Sequence, residues 1–202
     1  MKKSYKRLII DTASKYIYLS LVIDDEEVDS VYQAGDNDHS VTLMPLLREM
    51  LDKASLELKD LDQVIVGVGP GSYTGVRIGV TVAKMVAYLN DIKVSKISSL
   101  ALMASHSDKE YVLPLIDARR GNAFMAFLKQ DNQQMTYLTQ DILMNIETFK
   151  SKRDEEYEVV ESGQPQIEKI LKSSLLEEVN NVHELVPNYL QVTEAERNLK
   201  ND

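Results

Sequence analysis

The chain has 202 residues, with 23 lysines and arginines against 32 acidic residues and a formal net charge of −9. A charge of that sign argues against direct nucleic-acid binding, which rewards clustered Lys and Arg, and places any involvement with RNA behind a basic partner. The absence of cysteine excludes disulfides, thiol catalysis and thiolate metal sites, and fits a reducing compartment.

The length suits one large domain or two lobes of about 100 residues each. No signal-peptide core precedes Asp11, and no apolar run approaches the roughly 20 residues needed to span a bilayer. These features predict a soluble, cytoplasmic protein with no membrane contact.

Leu8-Ile9-Ile10 is an apolar strand that delivers Asp11 and Thr12 to its C-terminal end. Segments 16–23 and 28–32 read as two further strands joined by the polar turn Asp24-Asp25-Glu26-Glu27, so the chain opens as an antiparallel three-stranded unit. A carboxylate at a strand end suits a hydrated cation or the rim of a phosphate loop, although Asp and Thr also bond backbone in turns. Residues 35–40 form a polar loop, and Ser40 is the expected cap of a helix over 41–54 in which Pro45 bends or marks the first turn. Its apolar residues Val41, Leu43, Met44, Leu46, Leu47, Met50, Leu51 and Ala54 exceed the single stripe that a surface helix buries.

A connector over 56–61 leads to Val64-Ile65-Val66, short and β-branched enough to be a buried strand. It breaks into Gly69-Pro70-Gly71, where Pro70 presets φ and Gly71 is expected to take the positive φ that follows. Ser72 or Thr74 then caps a helix through Val76, Val80, Ala83, Val86 and Ala87. Strand, glycine turn and helix N-terminus in that order aim backbone N–H groups at whatever lies above the turn, often a phosphate. Asp11, Thr12, Gly69, Gly71, Ser72, Thr74 and Gly75 are therefore candidate phosphate or nucleotide contacts. The turn is not a P-loop, because no lysine lies between Gly69 and Ala83, and Thr74 breaks the dinucleotide fingerprint. A purely structural turn that lets the helix pack close to the sheet explains the same glycines.

This second helix is also apolar on more than one face, through Val76, Ile78, Val80, Val82, Met85, Val86, Tyr88 and Leu89. Two such helices predict a partner surface drawn from Val41, Met44, Leu47, Met50, Leu51, Val76, Val82, Met85, Val86 and Leu89; coverage of both faces within the chain is the alternative.

Residues 92–94 read as a strand, and Ser98 or Ser99 as the cap of a helix over 100–104. The polar run 106–109 marks a lobe boundary, giving lobes 1–107 and 108–202. The second half opens with a strand over 111–116, the turn Asp117-Ala118-Arg119-Arg120-Gly121-Asn122, a strand over 123–128, the turn Asp131-Asn132-Gln133 and a strand over 135–138. That order repeats the opening plan of the chain. Asp117 with Arg119 and Arg120 suits an anionic group, and an ion pair ordering the turn explains them equally well. Helices are expected over 142–149 and 167–176 with a strand at Val159-Val160 between, and residues 151–158 form a solvated, charge-rich loop. After Pro187-Asn188-Tyr189-Leu190 the charged end is expected to fray.

The three histidines, His39, His106 and His183, lack the i+3 or i+4 partner that a helical metal pair needs. His39 beside Ser40 suggests a nucleophile and base, but sequence neighbours seldom face each other productively, and Gly69-Pro70-Gly71-Ser72-Tyr73 is not a nucleophile elbow. No catalytic or metal residues are assigned.

Ile10-Asp11-Thr12, His39-Ser40, the long stretch from Gly67 to Gly79, Ser98-Ser99-Leu100, Asp117-Ala118-Arg119-Arg120, and Pro187-Asn188-Tyr189-Leu190 followed by Glu194-Ala195-Glu196 resemble the bacterial TsaB (YeaZ) family in order and over nearly the whole chain. Gln191 stands where that family often has arginine, and no function is assigned to it. The resemblance implies an α/β, two-lobe actin/Hsp70/sugar-kinase-like (ASKHA) fold, each lobe a βββαβα core. It implies a non-catalytic partner of the paralogue TsaD in making N6-threonylcarbamoyladenosine in tRNA beside the anticodon, with the ATPase TsaE joining the assembly. On this reading the isolated chain has no cofactor, ATP or ADP belongs to the complex, tRNA is met only through the complex, and the chain alone forms a homodimer. The competing readings are a nucleotide-dependent transferase or hydrolase built on Asp11, Thr12 and the glycine turn, and a glycoprotease-like peptidase built on His39 and Ser40.

Overall fold

The computed structural model describes residues 4–35, 38–132 and 134–190. Gln133 of the expected turn, Gln191 and Glu194-Ala195-Glu196 lie outside the described residues. Among the described residues ten strands form two sheets. The first carries β1 (Lys6–Asp11), β2 (Tyr16–Ile23), β3 (Glu26–Ala34), β4 (Gln63–Gly67), β5 (Lys93–Ile97) and β10 (Glu177–Val179) in the order β10-β5-β4-β1-β2-β3. The second carries β6 (Tyr111–Asp117), β7 (Asn122–Asp131), β8 (Gln134–Asn145) and β9 (Glu158–Val160) in the order β8-β7-β6-β9. In both, a three-stranded antiparallel meander is followed by a parallel strand against its first member, β4 on β1 and β9 on β6. The repeated plan read from the sequence is thus present, and the fold is the two-lobe α/β architecture that the resemblance implies.

Period-two alternation assigns each strand's side chains to one of two layers. Leu8 and Ile10 of β1, with Ile17, Leu19 and Leu21 of β2 and Val64 and Val66 of β4, face α1 (His39–Lys53) and α2 (Tyr73–Asn90). Ile9, Tyr18, Val22 and Ile65 face the other way, onto α3 (Ser99–Ala104), and share a core with Val112, Phe124, Ala126 and Leu128 of the second sheet. The far side of that sheet buries Leu113, Leu115, Ala123, Met125 and Phe127 against Phe149 of α4 (Ile146–Lys150). The fully buried α3 therefore sits between the sheets and joins the two halves. No helix among the described residues is long and apolar enough to cross a membrane.

Three expectations are corrected. The segment 142–149 is not a helix: β8 runs to Asn145, because Ile142 and Leu143 pair with Met125 and Phe124 of β7, and α4 starts only at Ile146 behind the Asn145 cap. The helix expected over 167–176 stops at Lys172 as α5 (Ile167–Lys172), and the chain then crosses back to the first sheet as β10, antiparallel to β5. Finally, α1 begins at His39 after Asp38, so Ser40 lies inside it and does not cap it.

Candidate functional site

The glycine turn links β4 to α2. Ser72 is the helix cap, its Oγ accepting from the Gly75 N–H at 3.2 Å, while Thr74 lies in the first turn. The positive φ falls on Gly69, at +88°, and not on Gly71. Gly71 is glycine for a different reason: a Cβ there would stand 2.3 Å from the Ala13 carbonyl oxygen, and one at Gly75 would stand 2.1 Å from that of Thr12. The bend after β1 is pressed against the helix N-terminus, closer than any side chain allows.

That bend takes up groups a phosphate would use. The Ser72 N–H donates to Ala13 O at 2.7 Å, the Gly69 N–H to Ser99 Oγ at 2.9 Å, and the Gly75 N–H is capped. Thr12 is buried, its hydroxyl donating to Gly75 O at 2.7 Å and accepting from the Gly79 N–H at 3.0 Å. Asp11 Oδ1 accepts from Ser99 Oγ at 2.6 Å and from the Ala13 N–H at 3.4 Å. Burial pushes the Asp11 carboxyl up to about 6, against the opposing pull of the Ser99 hydroxyl and the Ala13 and Thr12 amides. The structure thus brings Asp11, Thr12, Gly69, Gly71, Ser72 and Gly75 together, with the polar groups bonded to one another or to Ala13, Gly79 and Ser99.

Sequence reading missed a second carboxylate nearby. Asp141 of β8 accepts from Ser98 Oγ at 3.0 Å and from Asn188 Nδ2 at 3.2 Å, and burial pushes it up to about 6. Adjacent serines at the start of α3 thus bind carboxylates from the two sheets. Asn188 also donates its backbone N–H to Val68 O at 2.7 Å, and Tyr189 stacks on Tyr73 with ring centroids 4.8 Å apart. Arg77 lies over Tyr73 and donates to the hydroxyls of both tyrosines. The segment 187–190 is therefore a strap tying the glycine turn to the second sheet. Only its resemblance-bearing sequence marked it beforehand.

The apolar helices divide cleanly. Leu43, Leu47, Met50 and Leu51 of α1 and Val76, Val80, Ala83, Val86 and Ala87 of α2 repeat at helical spacing and are buried on the first sheet. Leu47, Met50, Leu51, Val76 and Val86 are therefore core residues, a correction to the expected partner surface, and Val82 is half-buried on that core. Val41 (67% exposed), Met44 (44%), Met85 (55%) and Leu89 (72%) remain outside, joined by Tyr88 (64%), on two helices that pack against each other.

A model of the family described as "TsaD: tRNA N6-adenosine threonylcarbamoyltransferase" matches residues 33–184. The Bacillus subtilis tRNA threonylcarbamoyladenosine biosynthesis protein TsaB is 29% identical over 219 residues, covering 94% of this chain and 95% of that protein. The Escherichia coli protein of the same name is 30% identical over 128 residues, 61% of this chain and 55% of that protein. The solved structure of YeaZ from Pseudomonas aeruginosa superposes with a TM-score of 0.76 at 22% identity, over 92% of this chain and all of that one. The chain belongs to the TsaB/YeaZ family.

Within this TsaB/YeaZ chain the residues suggested for peptidase chemistry do not converge. His39 is buried, its Nε2 3.1 Å from the Ser14 carbonyl oxygen, and Ser40 is its exposed neighbour on α1. The His106 ring bonds the Gln164 carbonyl at 3.0 Å, and His183 packs edge-on to Tyr88. The described residues hold no group of three or more His, Cys, Asp or Glu arranged for a metal ion.

Proposed function

We propose that this chain is the non-catalytic partner of the transferase paralogue TsaD in making N6-threonylcarbamoyladenosine in tRNA, and that Val41, Met44, Met85, Tyr88 and Leu89 form the face it presents. One observation carries the reading: these large apolar side chains stay exposed on two adjacent helices whose opposite faces already fill the core. The names of the relatives and the TsaD-type family model support the pathway and the partner. A standard interface of roughly 1,600 Å² takes a central apolar cluster of this kind. In the absence of the paralogue the same face pairs two copies of the chain. TsaE joins the assembly, and ATP or ADP enters with the assembly.

Reconstitution with TsaD and TsaE tests this by measuring modified tRNA with and without the chain. Modification should depend on it and should fall with Val41→Glu/Met85→Glu, a pair that leaves the core untouched. Full modification without the chain, or unchanged capture of TsaD by the double variant, overturns the proposal.

The competing enzyme reading keeps one observation in its favour, the half-buried Asp11, whose carboxyl is bonded to Ser99 at the start of α3 and pushed up to about 6. Calorimetry of the purified chain with ATP and ADP separates the two. Tight binding with turnover by this chain alone favours the enzyme.

A further inference from the structure

The turn between β6 and β7 holds three successive residues in the left-handed region: Arg119 at φ +69°, Arg120 at +56° and Gly121 at +73°. Side chains other than glycine avoid that region unless the surroundings hold them there. Here they do. Asp117 Oδ1 accepts the Arg119 N–H at 2.9 Å, the Asn122 N–H returns to Arg119 O at 3.1 Å, and the Ala118 N–H reaches Asn122 O at 2.9 Å. Gly121 O accepts from both the Ile146 N–H at 3.0 Å and Asn145 Nδ2 at 3.1 Å, which clamps the turn to the start of α4.

Of the two readings open for this turn, the ion pair is not made among the described residues: Asp117 is bonded to the backbone of Arg119, not to a guanidinium. The other described arginines are engaged within the chain, Arg7 by Asp25 and Gln63, Arg48 by Asp52, Arg77 by Tyr73 and Tyr189, and Arg153 by Thr139 and Phe127. Among the described residues only the Arg119 and Arg120 guanidinium groups have no such partner, in a chain with 32 acidic residues to offer. Both are exposed. Two unpaired guanidinium groups carried by successive residues of a clamped hairpin end suit a phosphate, which takes two donors at once.

We propose that Arg119 and Arg120 form a phosphate-binding fork for the backbone of an RNA, the one point at which this acidic chain touches nucleic acid directly. The choice of RNA rests on the function proposed above. A net charge of −9 argues against a broad electrostatic footprint, so the contact is local and adds to the affinity of the assembly. This revises the expectation that tRNA is met only through a partner.

The test uses an unmodified tRNA transcript and the full chain, alone and mixed with TsaD, over a series of KCl concentrations. Arg119→Gly/Arg120→Gly removes both charges and places glycine where φ is positive, so its melting temperature should equal or exceed the parent's. RNA binding by the mixture should weaken roughly tenfold, and the slope of log K against log salt should fall by about 1 to 2. Arg119→Lys/Arg120→Lys should recover part of the affinity. Unchanged affinity and slope overturn the proposal. So does loss of TsaD capture by the glycine variant, which would assign the arginines to carboxylates of a protein partner. Equal competition by inorganic phosphate and by the transcript at matched phosphate concentration also overturns it, in favour of a small-anion site. If the parent fails to capture TsaD while the glycine variant still loses RNA binding as an isolated chain, the fork stands and the proposed partnership falls.

Discussion

The hydroxyl of Thr12 donates to the carbonyl of Gly75 at 2.7 Å, fixing the end of the first strand to the first turn of α2. Because the same oxygen accepts from the Gly79 N–H at 3.0 Å, one buried side chain satisfies two backbone groups of one helix. Thr12→Val keeps the shape and removes both of these bonds, at a cost of about 2 kcal/mol. Gly75→Ala would push a methyl group to 2.1 Å from Thr12 O and should cost about 3 kcal/mol. Urea denaturation of both variants measures these losses; a Gly75→Ala protein as stable as the parent would show that the close approach is not there.

Asp11 and Asp141 make stability depend on pH in an unusual direction for carboxylates. Both are pushed from 3.8 up to about 6, so the folded chain holds their protons more tightly than the unfolded chain does. The stability they contribute is fully present below about pH 4, declines as pH rises through about 6, and stays flat above that. Asp11→Asn should gain about 3 kcal/mol at pH 7 and nothing at pH 3.5. Denaturation series at the two pH values check this. A gain of equal size at both would refute the raised pKa.

Helical position separates packing from docking. Leu47, 1% exposed, should lose about 3 kcal/mol on truncation to Ala, whereas Leu89→Ala should change stability by less than about 0.5 kcal/mol. In capture of TsaD through the proposed face the order should reverse: Leu89→Ala should weaken binding, and Leu47→Ala should do so only in proportion to unfolding. Thermal melts run beside the pull-down decide the matter.

These helices show what sequence reading can and cannot deliver. The alternation in Ile17, Leu19 and Leu21, and the glycine turn with its Ser72 cap, were legible because their signals are local. Surplus apolar character in α1 and α2 was legible too. Which residues carry it outward was not, since pooling both faces mixed Leu47 and Val86 with Met44 and Leu89. Ile142-Leu143-Met144 reads as helix or strand with equal ease, and only pairing with Phe124 and Met125 decides for strand. Asp141 was overlooked for the same reason: its partners Ser98 and Asn188 stand 43 and 47 residues away.

Loosening the strap should leave the core intact. Arg77→Ala removes the bonds to Tyr73 and Tyr189 from an exposed site. Chymotrypsin should then cut after Tyr189 several-fold faster while the melting temperature stays within a degree or two of the parent's. No change in cutting rate would mean that Asn188 and the Tyr73–Tyr189 stack hold the strap without Arg77.

The return of β10 to the first sheet has a consequence for synthesis on the ribosome. β5 ends at Ile97, and the strand that flanks it begins at Glu177, about 80 residues or roughly 4 to 16 s of elongation later. Throughout that interval β5 is a bare edge, the kind of template on which nascent chains aggregate. Lys93 and Lys96 lie on it, charges that discourage a foreign strand, and Lys96 later meets Glu177 at 3.1 Å when the chain's own strand arrives. Of the two charges that discourage strangers during translation, Lys96 is also the lock for which Glu177 of β10 carries the key.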